Sequence, residues 1–292
     1  MPVKPAFVRI PLPAHAASAR ASLEFNGKDF HVIGGPCSVE SEAQFQITAD
    51  AVKRSGANLL RGGIYKLRTN PESFQGLGEQ SWDFVRKVCR ETGMPLVTEV
   101  TDPRQIEAMT EFVDVFQVGT RNMYNYALLK ELGLAGKPVL LKRAFSATLD
   151  EWILAARYVT REGNPNVILC ERGIRTFEPA FRNTLDLSAI PYVKARSEFP
   201  IIVDPSHATG IREFVAPMAL AAIAAGADGL LIEVHPDPAL ALSDGPQALD
   251  FPAFEALMRQ IDGLCTHLGR RLVRLDPIKT ASSERPSEAA AE

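Results

Sequence analysis

The sequence predicts an α/β fold, a single-domain (β/α)8 TIM barrel. Three observations carry that expectation. Eight short apolar or β-branched runs recur along the 292 residues, amphipathic stretches follow most of them, and every run ends in a polar or ionisable side chain. Such a barrel needs about 250 residues, so one large core accounts for the length.

The runs lie at 31–35, 58–64, 95–100, 115–119, 138–142, 167–171, 200–203 and 229–234, each short enough for a buried parallel strand. Trp82, Val85, Val88 and Cys89 carry helical spacing before the third run, and Trp152, Leu154, Ala155, Tyr158 and Val159 carry it before the sixth. Gly-Ala-Asn at 56–58 and Gly-Ala-Asp at 226–228 each close a helix and start a strand. Gly93-Met94-Pro95 and Gly136-Lys137-Pro138 do the same with a proline at the strand entrance. Strands that alternate with helices pair in parallel, and eight units favour closure over an open doubly wound sheet. The chain divides into an N-terminal extension at 1–29, the catalytic barrel at 30–270 and a tail at 271–292 that is expected to be flexible. Residues 1–22, rich in Pro and Ala, and 280–292, poor in large apolar residues, look dispensable to the core.

A formal net charge of -3 gives no basic excess for gripping nucleic acid, so the expected partners are small molecules. Cys37, Cys89, Cys170 and Cys265 are scattered without a CxxC pair, which fits a reduced compartment. No apolar span of about 18 residues and no signal-peptide core occurs, so a cytoplasmic protein with no membrane partner is expected.

In a barrel, chemistry gathers where the strands end. Those ends hold Cys37, Arg61 with Lys66, Arg68 and Thr69, then Glu99, Arg121, Lys142-Arg143, Glu171-Arg172, Asp204 with His207, and Glu233 with His235. Cys37, His207, Glu233 and Asp244 supply a thiolate, an imidazole and two carboxylates, a donor set acceptable to Mn, Fe, Co or Zn. Taken singly, a free cysteine is more often a packed core residue, and an aspartate before Gly-Pro more often forms a turn. Glu233 is harder to explain that way: it ends the apolar run Leu230-Leu231-Ile232, where an unpaired carboxylate is costly. The cations Arg61, Lys66, Arg68, Arg121, Lys142, Arg143, Arg172 and Arg175, spread over strand ends, call for anionic ligands such as phosphate.

These residues carry a specific resemblance. The phrases Gly34-Gly35-Pro36-Cys37-Ser38, Lys66-Leu67-Arg68-Thr69, Gln117-Val118-Gly119-Thr120-Arg121, Leu141-Lys142-Arg143 and Glu171-Arg172-Gly173 resemble the 3-deoxy-D-arabino-heptulosonate 7-phosphate (DAHP) synthases. Arg182-Asn183-Thr184, Asp204-Pro205-Ser206-His207, Glu233-Val234-His235-Pro236 and Ser243-Asp244-Gly245-Pro246-Gln247 continue it in the same order, in the subgroup related to 3-deoxy-manno-octulosonate 8-phosphate synthases. The resemblance implies metal-dependent condensation of phosphoenolpyruvate with erythrose 4-phosphate and water to DAHP and phosphate. That is the first step of the shikimate pathway to the aromatic amino acids, catalysed by a homo-oligomeric (dimeric or tetrameric) transferase. It implies one divalent ion on Cys37, His207, Glu233 and Asp244. Phosphoenolpyruvate falls to Arg121, Lys142 and Arg172, with Arg61, Lys66 and His207 nearby, and the acceptor phosphate to Arg68 and Thr69.

The chemistry expected from those roles is attack of the enol carbon on an aldehyde polarised by the metal, then addition of water and loss of phosphate. Lys66 is the candidate proton donor, and Glu99 or Asp204 helps to place water. Leu67, Thr120 and Ala144 stand where the family usually has Pro, Ala and Gly, which bears on acceptor fit. Two alternatives therefore stand beside the main reading: condensation with a different aldose phosphate, or a non-catalytic phosphate-binding scaffold. Feedback inhibition through an extra domain is not expected with only residues 1–29 ahead of the first strand, but a separate chorismate mutase is a candidate partner.

Overall fold

Eight parallel strands close into a barrel in the computed structural model, which describes residues 7–276 apart from 15, 17 and 19. They are β3 (Asp29–Gly35), β4 (Leu59–Arg61), β5 (Leu96–Val100), β6 (Val115–Val118), β7 (Val139–Lys142), β8 (Val167–Glu171), β9 (Ile201–Val203) and β10 (Gly229–Glu233), with β10 paired back onto β3. All eight predicted runs fall on these strands. The run expected over 58–64 shortens to Leu59–Arg61, and pairing beyond it survives only as an isolated bridge between Ser38 and Gly63. The main crossover helices are α1 (Glu42–Ser55), α2 (Trp82–Thr92), α3 (Ile106–Thr110), α4 (Tyr126–Ala135), α5 (Leu149–Arg161), α6 (Ala189–Arg196), α8 (Arg212–Ala224) and α9 (Phe251–His267). A short α7 (Pro205–Thr209) precedes α8. Local chemistry starts them: Thr148 and Glu151 form a reciprocal capping box on α5, and the Asp250 side chain caps α9. No helix among the described residues is long and apolar enough to cross a membrane.

Side chains along a strand alternate between faces, and that alternation builds both the core and the site. Leu60, Leu96, Phe116, Leu141, Leu169 and Ile232 point outward and pack beneath the helices. Ile33, Leu59, Val97, Val115, Leu140, Ile168, Ile202 and Leu231 point inward and fill the barrel. Two residues beyond these inward positions, the same strand faces deliver Arg61, Glu99, Gln117, Lys142, Cys170, Asp204 and Glu233. A rigid apolar layer thus aims a polar layer at one end of the barrel. Gly35, with φ 143, lets the first strand make its exit, since a Cβ there would stand 2.2 Å from the Arg61 carbonyl oxygen.

The expectation that residues 1–22 are dispensable to the core fails at residues 8–11. β1 (Val8–Pro11) and β2 (Ser22–Phe25) form an antiparallel hairpin whose Val8, Ile10, Leu23 and Phe25 are buried against the inner layer. Its alternation of buried and exposed residues is only four residues long on each strand, and β1 is set among prolines, which hid it. The expected flexible tail also needs correction at its start: β11 (Arg271–Leu272) pairs with β3, and Val273 is buried. Residues 277–292 of that tail lie outside the described residues.

Candidate active site

Cys37, His207, Glu233 and Asp244 converge, with ligand atoms all within 4.8 Å of one another. Cys37 Sγ lies 3.5 Å from His207 Nε2 and 3.2 Å from Asp244 Oδ2. His207 Nε2 lies 3.5 Å from Glu233 Oε2 and 3.6 Å from Asp244 Oδ2. Four N, O and S donors bound tetrahedrally at about 2.0–2.3 Å sit roughly 3.3–3.8 Å apart, so these separations suit a divalent ion. Asp204 fixes the imidazole: its carboxylate accepts from His207 Nδ1 at 2.9 Å, which leaves Nε2 facing the cluster as a donor atom to metal. Burial opposes charge at each ligand, and neighbours decide the outcome. Asp204 overcomes burial to raise His207, and Lys66 overcomes it to lower the Cys37 thiol. His207 and Arg182 hold half-buried Asp244 well below the carboxylate range, whereas burial prevails at Glu233 and pushes it up to about 8.

Next to the cluster opens a cavity of about 260 Å³, lined by Lys66, Arg68, Thr69, Arg121, Lys142 and Arg172 together with His207 and Asp244. Arg172 is buried, and burial pulls its guanidinium down to about 10, against nearby Asp204. Its Nε and Arg61 Nη1 are buried donors with no acceptor among the described residues, a state suited to receiving an anion. Lys66 Nζ is 3.0 Å from Glu99 Oε2; burial disfavours its charge, but Cys37 and Glu99 hold its pKa well above the ordinary lysine range. Lys142 Nζ is 2.6 Å from Asp204 Oδ2. The 66–73 loop is tied across the mouth, with Arg68 donating to Ser243 Oγ at 3.1 Å and Arg121 donating to Thr69 Oγ1 at 2.8 Å.

Other predicted positions fall at different distances from this cavity. Glu99 lines it, while Asp204, Arg61 and Glu233 lie behind the lining residues. Asp204 is fully buried, and both its oxygens are engaged by His207 and Lys142. Arg143 was grouped with the phosphate cations by its place after a strand, but its Nη1 is 2.9 Å from both Glu171 and Asp186, so its anions are the protein's own. His235 sits apart from the ligands, 3.4 Å from Glu40. Leu67 and Thr120 line the cavity; Ala144 does not.

Sequence reasoning gave no role to Gln117, Phe145, Arg182 or Gln247. Phe145 sits among three guanidiniums, with Arg175, Arg172 and Arg121 at 4.6, 4.9 and 5.5 Å from its ring centroid. Gln117 was findable, as a polar residue inside an apolar strand. Gln247 and Phe145 carry no charge and stand in loops, so they gave no signal beyond the motifs that contain them.

Comparison with known proteins agrees with this geometry. The family model described as the DAHP synthetase I family matches residues 16–268. A phospho-2-dehydro-3-deoxyheptonate aldolase of Thermotoga maritima is 48% identical over 240 residues, covering 82% of this chain and 71% of the relative. A 2-dehydro-3-deoxyphosphooctonate aldolase of Acidithiobacillus ferrooxidans is 33% identical over 249 residues, covering 79% of this chain and 87% of the relative. The crystal structure of a Thermotoga maritima DAHP synthase superposes with a TM-score of 0.85 at 44% identity, covering 92% of this chain and 76% of that one. A truncated form of the Thermotoga maritima enzyme gives 0.82 at 41% identity, covering 92% of this chain and 95% of that one. The chain belongs to the DAHP synthetase I family.

Proposed function

We infer that the chain condenses phosphoenolpyruvate with erythrose 4-phosphate and water to give DAHP and phosphate, as a 3-deoxy-7-phosphoheptulonate synthase. One observation carries this reading: His207 and Asp244 belong both to the four-residue donor cluster and to the lining of the cation-rich cavity. A site with that shared wall holds an anionic substrate against a bound ion.

Cys37, His207, Glu233 and Asp244 would hold one divalent ion (Mn, Fe, Co or Zn), and that ion would supply Lewis-acid polarisation of the acceptor carbonyl. Arg121, Lys142 and Arg172 orient phosphoenolpyruvate, supported by Arg61 and Lys66, and Arg68 with Thr69 grips the acceptor phosphate. The new carbon–carbon bond joins the enol carbon to the aldehyde. Water adds at the adjacent carbon, and the carbon–oxygen bond to phosphate breaks. Lys66 remains charged and gives up its proton only to a strong base, which suits donation to a nascent alkoxide. Glu99, held anionic by Lys66 against its burial, faces the cavity and places the water. Asp204 acts by orienting His207 and Lys142. The enzyme works in the cytoplasm as a homo-oligomer, with a separate chorismate mutase as a candidate partner.

Phosphate release from phosphoenolpyruvate, measured with a panel of aldose phosphates and Mn²⁺ supplied, tests the reading. Turnover greatest with erythrose 4-phosphate is expected. Turnover of a pentose phosphate but not of erythrose 4-phosphate would overturn it and favour the second acceptor reading, for which Leu67 and Thr120 in the cavity wall are the physical grounds.

A further inference from the structure

The carboxylate ligands are held by a pair of residues outside the donor cluster. Arg182 Nη1 donates to Gln247 Oε1 at 2.9 Å and to Asp244 Oδ1 at 3.2 Å. Gln247 Nε2 donates to Glu233 Oε2 at 2.8 Å. A guanidinium only donates, so the carboxamide must turn its oxygen toward Arg182, and that leaves its N–H toward Glu233. Gln247 and Glu233 are 3% and 1% exposed, so a wrong orientation would leave polar groups buried without partners.

The same contacts orient Asp244. Arg182 occupies Oδ1, which turns Oδ2 toward Cys37 and His207. Asp244 begins the Gly245–Gln247 turn in the left-handed region, at φ 56, so one tight turn delivers a ligand at its head and the Gln247 amide at its end. Arg182 is itself anchored, its backbone N–H donating at 2.9 Å to the carbonyl of Thr209, the last residue of the helix that carries His207.

We propose that Arg182 and Gln247 form a positioning relay that sets Glu233 and Asp244 for the metal. The proposal rests on the reading of Cys37, His207, Glu233 and Asp244 as its ligands. Removing such outer partners typically costs about 10- to 100-fold in metal affinity.

The test strips the full-length protein of metal with a chelator and measures Mn²⁺ affinity by competition with a fluorescent chelator. Wild type, Gln247→Met, Arg182→Met, the double variant and Cys37→Ala are compared. Each relay variant should bind about 10- to 100-fold more weakly, and the double variant should lose less than the product of the single losses, because Arg182 acts in part through Gln247. For Gln247→Met, kcat should approach the wild-type value once Mn²⁺ saturates. Unchanged affinity in Arg182→Met, or losses that multiply fully in the double variant, would overturn the relay. Arg182 is partly exposed, so its variant carries the test if Gln247→Met fails to fold. Failure of the underlying reading looks different: wild type and Cys37→Ala would then bind Mn²⁺ alike.

Discussion

Replacing Gly119 with alanine isolates the placement of Glu99. Gly119 has φ -68 and ψ 158, a conformation open to any residue, so the substitution brings no backbone strain. Its cost is steric. The new Cβ would stand 2.1 Å from Glu99 Oε1, and ordinary contact begins at 3.4 Å, so the carboxylate must retreat by about 1.3 Å, the difference of the two. Glu99 is held 3.0 Å from Lys66, and both are buried, so the retreat breaks the pair or drags Lys66 with it. A displacement of about 1 Å in a catalytic constellation costs on the order of 10²-fold in rate.

Gly119→Ala should therefore lower kcat about 100-fold while the KM for phosphoenolpyruvate moves much less. Steady-state phosphate release reads this directly, and a denaturant titration shows whether the fold is intact. Truncating Glu99 first removes the collision. On a Glu99→Ala background the added methyl should then change kcat by no more than about twofold, a coupling that a double-mutant cycle reports. A single variant with wild-type kcat, or an equal loss on both backgrounds, would refute the reasoning.

The hairpin at the barrel floor should be essential to stability. Ile10→Ala and Phe25→Ala each remove a fully or almost fully buried side chain and should cost about 2–5 kcal/mol in denaturant unfolding, whereas values near zero would return the segment to a dispensable extension. His31, on β3 beneath that hairpin, is lowered to about 4 by burial, with Nε2 on the Glu24 carbonyl and Nδ1 on Asn58. The unfolded chain takes up its proton near pH 6.5 and the folded chain only near 4, so this group's stability is complete above pH 6.5 and is lost as pH falls through that window, by roughly 3 kcal/mol. Asp114 is raised to about 6 by burial and acts in the opposite sense between its unfolded value and pH 6, so the His31 contribution is read as the difference between wild type and His31→Gln at pH 7 and pH 4.5. Identical pH dependence in the two proteins would contradict it.

The barrel was legible because its strands are near-continuous apolar runs that end in charge, a pattern that only strands buried on both faces produce. The convergence of Cys37, His207, Glu233 and Asp244 was legible for a related reason: Glu233 closes an apolar run where a carboxylate has no cheap solution. Three features were not. The hairpin's apolar residues are few, those of its first strand lie among prolines, and their burial depends on a barrel floor that local sequence does not describe. Arg143 reads as a site cation because its Glu171 and Asp186 partners are brought to it only by folding. Gln247 is uncharged, and what singles it out is its geometry between Arg182 and Glu233.

The central claim, a cation held by a thiolate, an imidazole and two carboxylates beside an anion cavity, is tested most directly by titrating metal-stripped protein with Co²⁺ and following thiolate-to-cobalt absorption in the near ultraviolet. The account predicts a band that saturates at one ion per chain and is absent from Cys37→Ala. A titration without that band, or one that Cys37→Ala leaves unaltered, would contradict it.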